Sequence, residues 1–351
     1  MKRLLFCALA LAPAAAWADD AAQAEAVEKA LIEAEPKLHR CWEQAAAVDY
    51  RVEGTVELKV IVGAGGRAAR VEVRGNSMGK RELEECALKA FADARFGGAF
   101  ADGDAVEVPI TFKAEPNVTL KRDDAPGLAM KGTQATARIL VDEKTSGAKK
   151  ASLTFVEIQA GSRWQRPNGQ GTAIIFVLKG RVKAGPTPAT TGDVVILDEG
   201  SAHPFNASMR SELLVLLVPP GGEQAYRDGA TMATAATGAD PRVIKRNSAQ
   251  KFDILEGRGE VRILVENEKA SVGFLRVNSG EVPVHAHGAE AEILFVTEGK
   301  GTMTVDGSAY PVEPFMAIHV PPGAKHGFVA ETPVEAVQFY APAGPEQRFK
   351  K

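Results

Sequence analysis

Cysteine is nearly missing from this chain. Three occur in 351 residues, Cys7, Cys41 and Cys86. No two of them stand at a CxxC or zinc-finger spacing, which excludes a thiol redox motif and a zinc cluster as organising features. Histidine is almost as scarce, with six in all, so a cluster of histidines demands an explanation. No lysine- or arginine-rich block exists, and 42 basic residues stand against 45 acidic ones for a formal net charge of -3. That balance speaks against nucleic acid as a partner. Long apolar runs are missing beyond the first 18 or so residues, so the remaining chain is expected to be soluble and not an integral membrane protein.

The one apolar run opens the sequence. MKRLLFCALALAPAAAWADD has a basic start at Lys2 and Arg3, an apolar stretch, and small residues at Ala16 and Ala18. It falls short of the roughly 20 residues a spanning helix needs. Residues 1–18 therefore read as a cleaved secretory signal peptide, and the protein is expected in the periplasm or outside the cell. Cys7 lies too early for a lipoprotein cleavage site. In an oxidising compartment, the two remaining cysteines are most economically read as a disulfide, Cys41–Cys86.

Beyond residue 18 the chain falls into stretches of different character. Residues 22–48 carry a helical pattern of apolar residues interrupted by Pro36. RVEGTVELKVIVG and RAARVEVRG alternate apolar and polar residues about a glycine turn, the signature of a hairpin. KRELEECALKAFADARF is an amphipathic helix and AVEVPITF a third strand. These make a small α+β domain over 19–114. Residues 115–136 and 221–241 mix Pro, Gly and polar residues without periodicity and read as linkers.

The two segments set off by the linkers, 137–220 and 242–346, repeat one another. Gly161 and Gly180 map onto Gly280 and Gly299 at an offset of 119, and Gly200 and His203 onto Gly323 and His326 at 123. Both are rich in short strands separated by glycine turns, as barrels are. The fold class is therefore mainly β, two tandem barrels after a small α+β domain, in a monomer or dimer.

The second repeat holds the histidine cluster. Alternate residues of a strand face one side, so His285 and His287 in VPVHAHG point into one cavity. Glu292 opens the next strand, and the turn at Pro321, Pro322 and Gly323 aims His326 back across the sheet. Three imidazoles and a carboxylate suit one divalent transition metal, with positions left for a small-molecule ligand. The competing reading, satisfied core or surface histidines, is weak because three of six histidines fall at ligand positions.

This pattern resembles the cupin family, whose first motif runs Gly, five residues, His-x-His, three or four residues, Glu, six residues, Gly, and whose second centres on Pro-x-Gly, two residues, His. Gly280, His285, His287, Glu292 and Gly299 fit the first with one residue fewer after Gly280. Pro321, Gly323 and His326 fit the second, with Phe315 at the leading Gly and Ala330 at the closing Asn. The resemblance implies a bicupin with metal inside the second barrel, manganese or iron ahead of zinc, copper or nickel. It also implies a decarboxylase, dioxygenase or isomerase acting on a small oxygen-rich substrate. The alternative is a non-catalytic ligand-binding or envelope-interaction protein. Glu281, Glu290, His319 and Tyr340 are the acid–base candidates, His319 more simply facing solvent, and Tyr340 and Gln338 share a strand face.

In the first barrel the ligand positions are Arg166, Asn168 and Ala173, with only His203 kept. A permanently charged guanidinium repels a cation, so this barrel is expected to be metal-free. It is either a packing relic or an anion pocket of Arg163, Arg166 and His203 walled by Trp164. Helix, hairpin, helix, strand in the N-terminal domain is similar to the TonB carboxy-terminal domain. It lacks the transmembrane helix and Pro-rich spacer of an energy transducer and implies an envelope partner. Closing a loop of about 45 residues, the disulfide would stabilise it by roughly 4 kcal/mol.

Overall fold

The computed structural model describes residues 21–167, 170–232 and 235–350, so the expected signal peptide over 1–18 lies outside the described residues. Among them, no helix is long and apolar enough to cross a membrane. The chain divides into two compact units, 1–116 and 117–351.

The first unit runs α1 (Ala21–Ala46), β1 (Gly54–Gly63), β2 (Arg67–Asn76), α2 (Arg81–Phe91) and β3 (Ala105–Phe112). β1 is central in an antiparallel sheet of order β2-β1-β3. Its inward residues Val56, Leu58, Val60 and Val62 pack with Leu31, Leu38 and Trp42 of α1 and Leu83 and Phe91 of α2. The disulfide between Cys41 and Cys86, with Cα atoms 6.3 Å apart, joins the two helices. Pro36 does not interrupt α1. Its missing N–H removes one helical bond, which the buried face from Val27 to Trp42 outweighs.

The second unit is built from short antiparallel strands. Its first half comprises β4 (Thr119–Lys121), β5 (Leu128–Ala129), β6 (Ala135–Val141), α3 (Glu143–Ser146), β7 (Ser152–Ile158), β8 (Arg163–Trp164) and β9 (Thr172–Lys179). β10 (Arg181–Ala184), β11 (Thr187–Thr190), β12 (Val194–Leu197), β13 (Phe205–Ala207), β14 (Ser211–Val218) and α4 (Glu223–Arg227) follow. The second half comprises β15 (Arg242–Ile244), β16 (Gln250–Ile254), β17 (Gly259–Glu266), β18 (Ser271–Val277), β19 (Gly280–His285) and β20 (Ala291–Glu298). It closes with β21 (Gly301–Val305), β22 (Ser308–Val312), β23 (Met316–Val320), β24 (His326–Ala330) and β25 (Val334–Ala341). Each half folds a seven-stranded sheet against a four-stranded one. The large sheets meet through aromatic pairs, Phe155 with Phe295 and Phe176 with Phe274, ring centroids 6.3 and 5.6 Å apart.

The two expected linkers are structured. β4 precedes the first barrel yet pairs with β23 of the second, Leu120 opposite Ala317. β15 precedes the second barrel yet pairs with β12 of the first, Val243 opposite Val195. The halves thus exchange equivalent strands, and the barrel boundaries drawn from sequence at 137 and 242 cut through this exchange. Residues 221–241 carry α4 and bury Tyr226 and Met232 in the first barrel's core. Phe315, at the position of a motif glycine, has φ 68. Its N–H donates to Val296 O and its carbonyl accepts from Arg122 N–H, each at 2.8 Å, and the Arg122 guanidinium lies 4.3 Å from its ring centroid. These contacts hold a left-handed conformation that costs a bulky residue about 1–2 kcal/mol.

The barrels differ inside. The first is filled by Trp164, Phe205, Ile175, Val195 and their neighbours. The second is lined by Leu294, Val296, Met303 and Val312 around a cavity of ≈ 480 Å³.

Candidate metal centre

His285 ends β19 and His326 begins β24, and the two are direct cross-strand partners. Their rings lie 4.3 Å apart between centroids, and His287 stands 5.0 Å from each. His287 follows β19, where its carbonyl accepts from Gly323 N–H at 2.7 Å. That bond ties the His-x-His segment to the Pro321–Gly323 turn that delivers His326. Glu292 comes from β20, opposite Val320 and Tyr340.

Hydrogen bonds fix two of the three imidazoles. His285 Nδ1 lies 2.8 Å from Pro283 O, and His326 Nδ1 lies 3.0 Å from Ala324 O. An Nδ1–H donating to a carbonyl leaves Nε2 with its lone pair, the form a metal needs. His287 Nε2 and His326 Nε2 are buried without a hydrogen-bond partner, although they lie 3.3 and 3.0 Å from Glu292 Oε2. Lone pairs set against a carboxylate oxygen are unfavourable unless a cation or proton stands between them. The ligand atoms of His285, His287 and His326 all lie within 4.8 Å of one another. The donor set of buried nitrogens beside a carboxylate fits a divalent transition metal.

Glu292 is held in turn. Gln338 Nε2 donates to its Oε1 at 2.5 Å and to the Tyr340 hydroxyl at 2.8 Å, and that hydroxyl donates to the same Oε1 at 3.3 Å. Burial alone would raise the Glu292 pKa; with a proton on the facing imidazole nitrogens of His287 and His326, in the place a cation would take, these and Gln338 hold it well below the usual carboxylate range. Burial pushes His285 down. For His326 burial works in the same direction, but the neighbouring Glu292 outweighs it and the net shift is upward. Burial, reinforced by the Glu292 charge, pushes the Tyr340 hydroxyl well up.

The other expected residues lie elsewhere. His319 is buried instead of facing solvent. It sits on β23 between Ile318 and Val320, which pack into the barrel core, so its own side chain points away from the cavity. Glu281 is exposed and Glu290 half-buried, and neither lines the cavity. Arg348 and Phe349, in the C-terminal turn Pro345–Lys350, do line it. They lie past the barrel's expected end at 346, and no motif or period marks them.

The anion pocket of the first barrel does not assemble. Arg166, 1% exposed, donates to the carbonyls of Ser201 at 2.6 Å, Gly171 at 2.9 Å and Asp198 at 2.8 Å. His203 Nε2 is bonded to Ala239 O at 2.9 Å. Arg163 lines a separate groove with Arg181 and Lys183, while its neighbour Trp164 is in the core. Asn168 lies outside the described residues. A guanidinium has five donors and no acceptor, so converging carbonyls satisfy Arg166 as an anion would.

Comparison with known proteins agrees with this geometry. The cupin domain profile matches residues 273–340, and that of the Gram-negative bacterial TonB protein C-terminal matches 45–115. No curated protein matches the chain. Among solved structures, a tryptophan-substituted oxalate decarboxylase from Bacillus subtilis is similar, with a TM-score of 0.52 at 14% identity over 65% of this chain and 78% of that one. Another structure of that enzyme, from work on its Mn(II) centres, gives a TM-score of 0.51 at 15% identity over the same shares. At such identities the likeness concerns the fold alone. Residues 273–340 thus match the cupin domain and residues 45–115 the TonB carboxy-terminal domain, and the fold over 65% of the chain is similar to that of oxalate decarboxylase.

Proposed function

We propose that the C-terminal barrel holds one divalent transition metal on His285, His287, Glu292 and His326 and acts on a small oxygen-bearing molecule, in chemistry of the decarboxylase, dioxygenase or isomerase kind. The observation that carries this reading is the pair of buried imidazole nitrogens, on His287 and His326, left without hydrogen bonds at a cavity of ligand size. A bound metal supplies Lewis acidity or a redox change. The protein's own residues do the rest. Bonds to Pro283 and Ala324 orient two imidazoles, Gln338 and Tyr340 fix the Glu292 carboxylate, and apolar walls exclude water from the open side. Manganese or iron ranks ahead of zinc, copper or nickel, supported by the Mn(II) centres named for the oxalate decarboxylase.

The test is metal content by elemental mass spectrometry. The intact protein is expected to carry about one equivalent and the His287→Ala variant less than a tenth of that, with the disulfide and first barrel still folded. Full stoichiometry in the variant would end the assignment of the site.

A second reading, non-catalytic ligand binding, is favoured by one observation. Beyond the proposed ligands, no described residue on the cavity wall is a free acid or base. Product analysis against simple retention of a bound ligand separates the two. The disulfide and the basic-then-apolar N-terminus support export, and the TonB-like domain supports an envelope partner. A mature chain beginning near residue 19 in the periplasmic fraction is the expected outcome.

A further inference from the structure

The lining of the cavity in the C-terminal barrel holds few polar side chains. His285, Glu292, His326 and Gln338 share the metal wall, and Arg348 is the one other charged residue on the lining among those described. The remaining wall is aliphatic or aromatic, with Leu275, Leu294, Met303, Val312 and Phe328 as its largest contributions.

Charge, size and lining lead to one ligand class. Three neutral imidazoles, one carboxylate and a divalent ion sum to one positive charge. Arg348 adds a second, and it makes no ion pair with any described residue, its guanidinium lying 4.8 Å from the centroid of Phe349. It is held in place by its neighbours, since the side chains of Gln347 and Lys350 both bond to Glu266. It lines the same cavity as His285 and His326. Net positive charge at the cavity attracts an anion. A cavity of ≈ 480 Å³ lies within the range of pockets that enclose drug-sized ligands, roughly 300–1,000 Å³, and is far larger than a two-carbon diacid. Its apolar walls offer nothing to a second polar head remote from the metal.

Resting on the metal site proposed above, we infer that the ligand is an amphiphilic monocarboxylic acid, its head between the metal wall and Arg348 and its aliphatic or aromatic body against Leu275, Met303 and Phe328. Isothermal titration of the metal-loaded, full-length protein tests this. The probes are straight-chain acids of increasing length, phenylacetate, oxalate, and the alcohol matching each acid. Affinity is expected to rise about two- to fourfold per added methylene until the cavity is filled, with oxalate the weakest of the acids. Arg348→Gln, a change in an exposed turn, is expected to weaken the acids roughly three- to tenfold and leave the alcohols unchanged. A flat chain-length series, or oxalate binding tighter than the longer acids, overturns the inference. Metal content on the same samples separates the failures, since a flat series with full metal sinks only the ligand class and absent metal sinks the site as well.

Discussion

At the scale of single residues, the two barrels place cations differently. Where the second barrel gathers nitrogen lone pairs, the first has a guanidinium that spends its donors on backbone carbonyls, those of Ser201, Gln170, Gly171 and Asp198 among them. Arg166→Met keeps much of the side-chain bulk and leaves those carbonyls unpaired, which is expected to cost on the order of 3–5 kcal/mol. Denaturant titration followed by Trp164 fluorescence measures it, and a loss below about 1 kcal/mol would show that Arg166 does not hold the barrel together. His319 gives a pH signature. Burial pushes it down to about 4, against a hydrogen bond to the Ser146 backbone that works the other way. The folded state keeps it neutral, so its contribution is complete above about pH 6.5 and is lost as pH falls from there toward 4, while the unfolded chain takes up a proton that the fold refuses. The loss is on the order of 3 kcal/mol, and His319→Gln is expected to flatten that part of the stability–pH curve. The convergence of His285, His287, Glu292 and His326 was legible because a short His-x-His segment, a strand and a turn place them by local rules. The partners of Arg166 and the cavity contact of Arg348 were not, since neither depends on sequence neighbours.

At the scale of elements, the strand exchange was the least legible feature. β4 and β15 are three residues each, too short for any period to register, and the Pro, Gly and charged residues around them imitate a linker. Hairpins and helices of the first unit were legible because each spans several periods of its pattern. The exchange makes an element of the first half a structural part of the second barrel. Leu120, 7% exposed, pairs opposite Ala317, while His319 N–H donates to Val118 O at 2.8 Å. Leu120→Asp buries an unpaired charge there and is expected to cost about 2–4 kcal/mol. Hydrogen exchange should show protection falling at Ile318 and His319 in β23 and persisting at Val195 in β12, whose partner is β15. Loss confined to the strands of the first barrel would contradict the exchange.

At the scale of the whole molecule, the exchange and the two-unit division together decide what would feel a bound metal. Each barrel contributes a strand to the other and the large sheets share aromatic contacts, so the barrels are expected to unfold as one cooperative body. The disulfide belongs to the first unit. Metal at a hundredfold above its dissociation constant stabilises the body that binds it by about 2.7 kcal/mol, which corresponds to roughly 2–4 °C per kcal/mol in a unit of this size. Variants retaining one tryptophan each give separate reporters, Trp42 in the first unit and Trp164 in the first barrel. Chelation is expected to lower the melting temperature seen by Trp164, although that residue lies in the other barrel from the proposed metal site, and to leave that seen by Trp42 in place. Reduction of the disulfide is expected to do the reverse, weakening the first unit by roughly 4 kcal/mol. A Trp164 transition indifferent to chelation would mean that the exchanged strands do not couple the barrels, and the filled barrel would then be a passenger beside the hollow one.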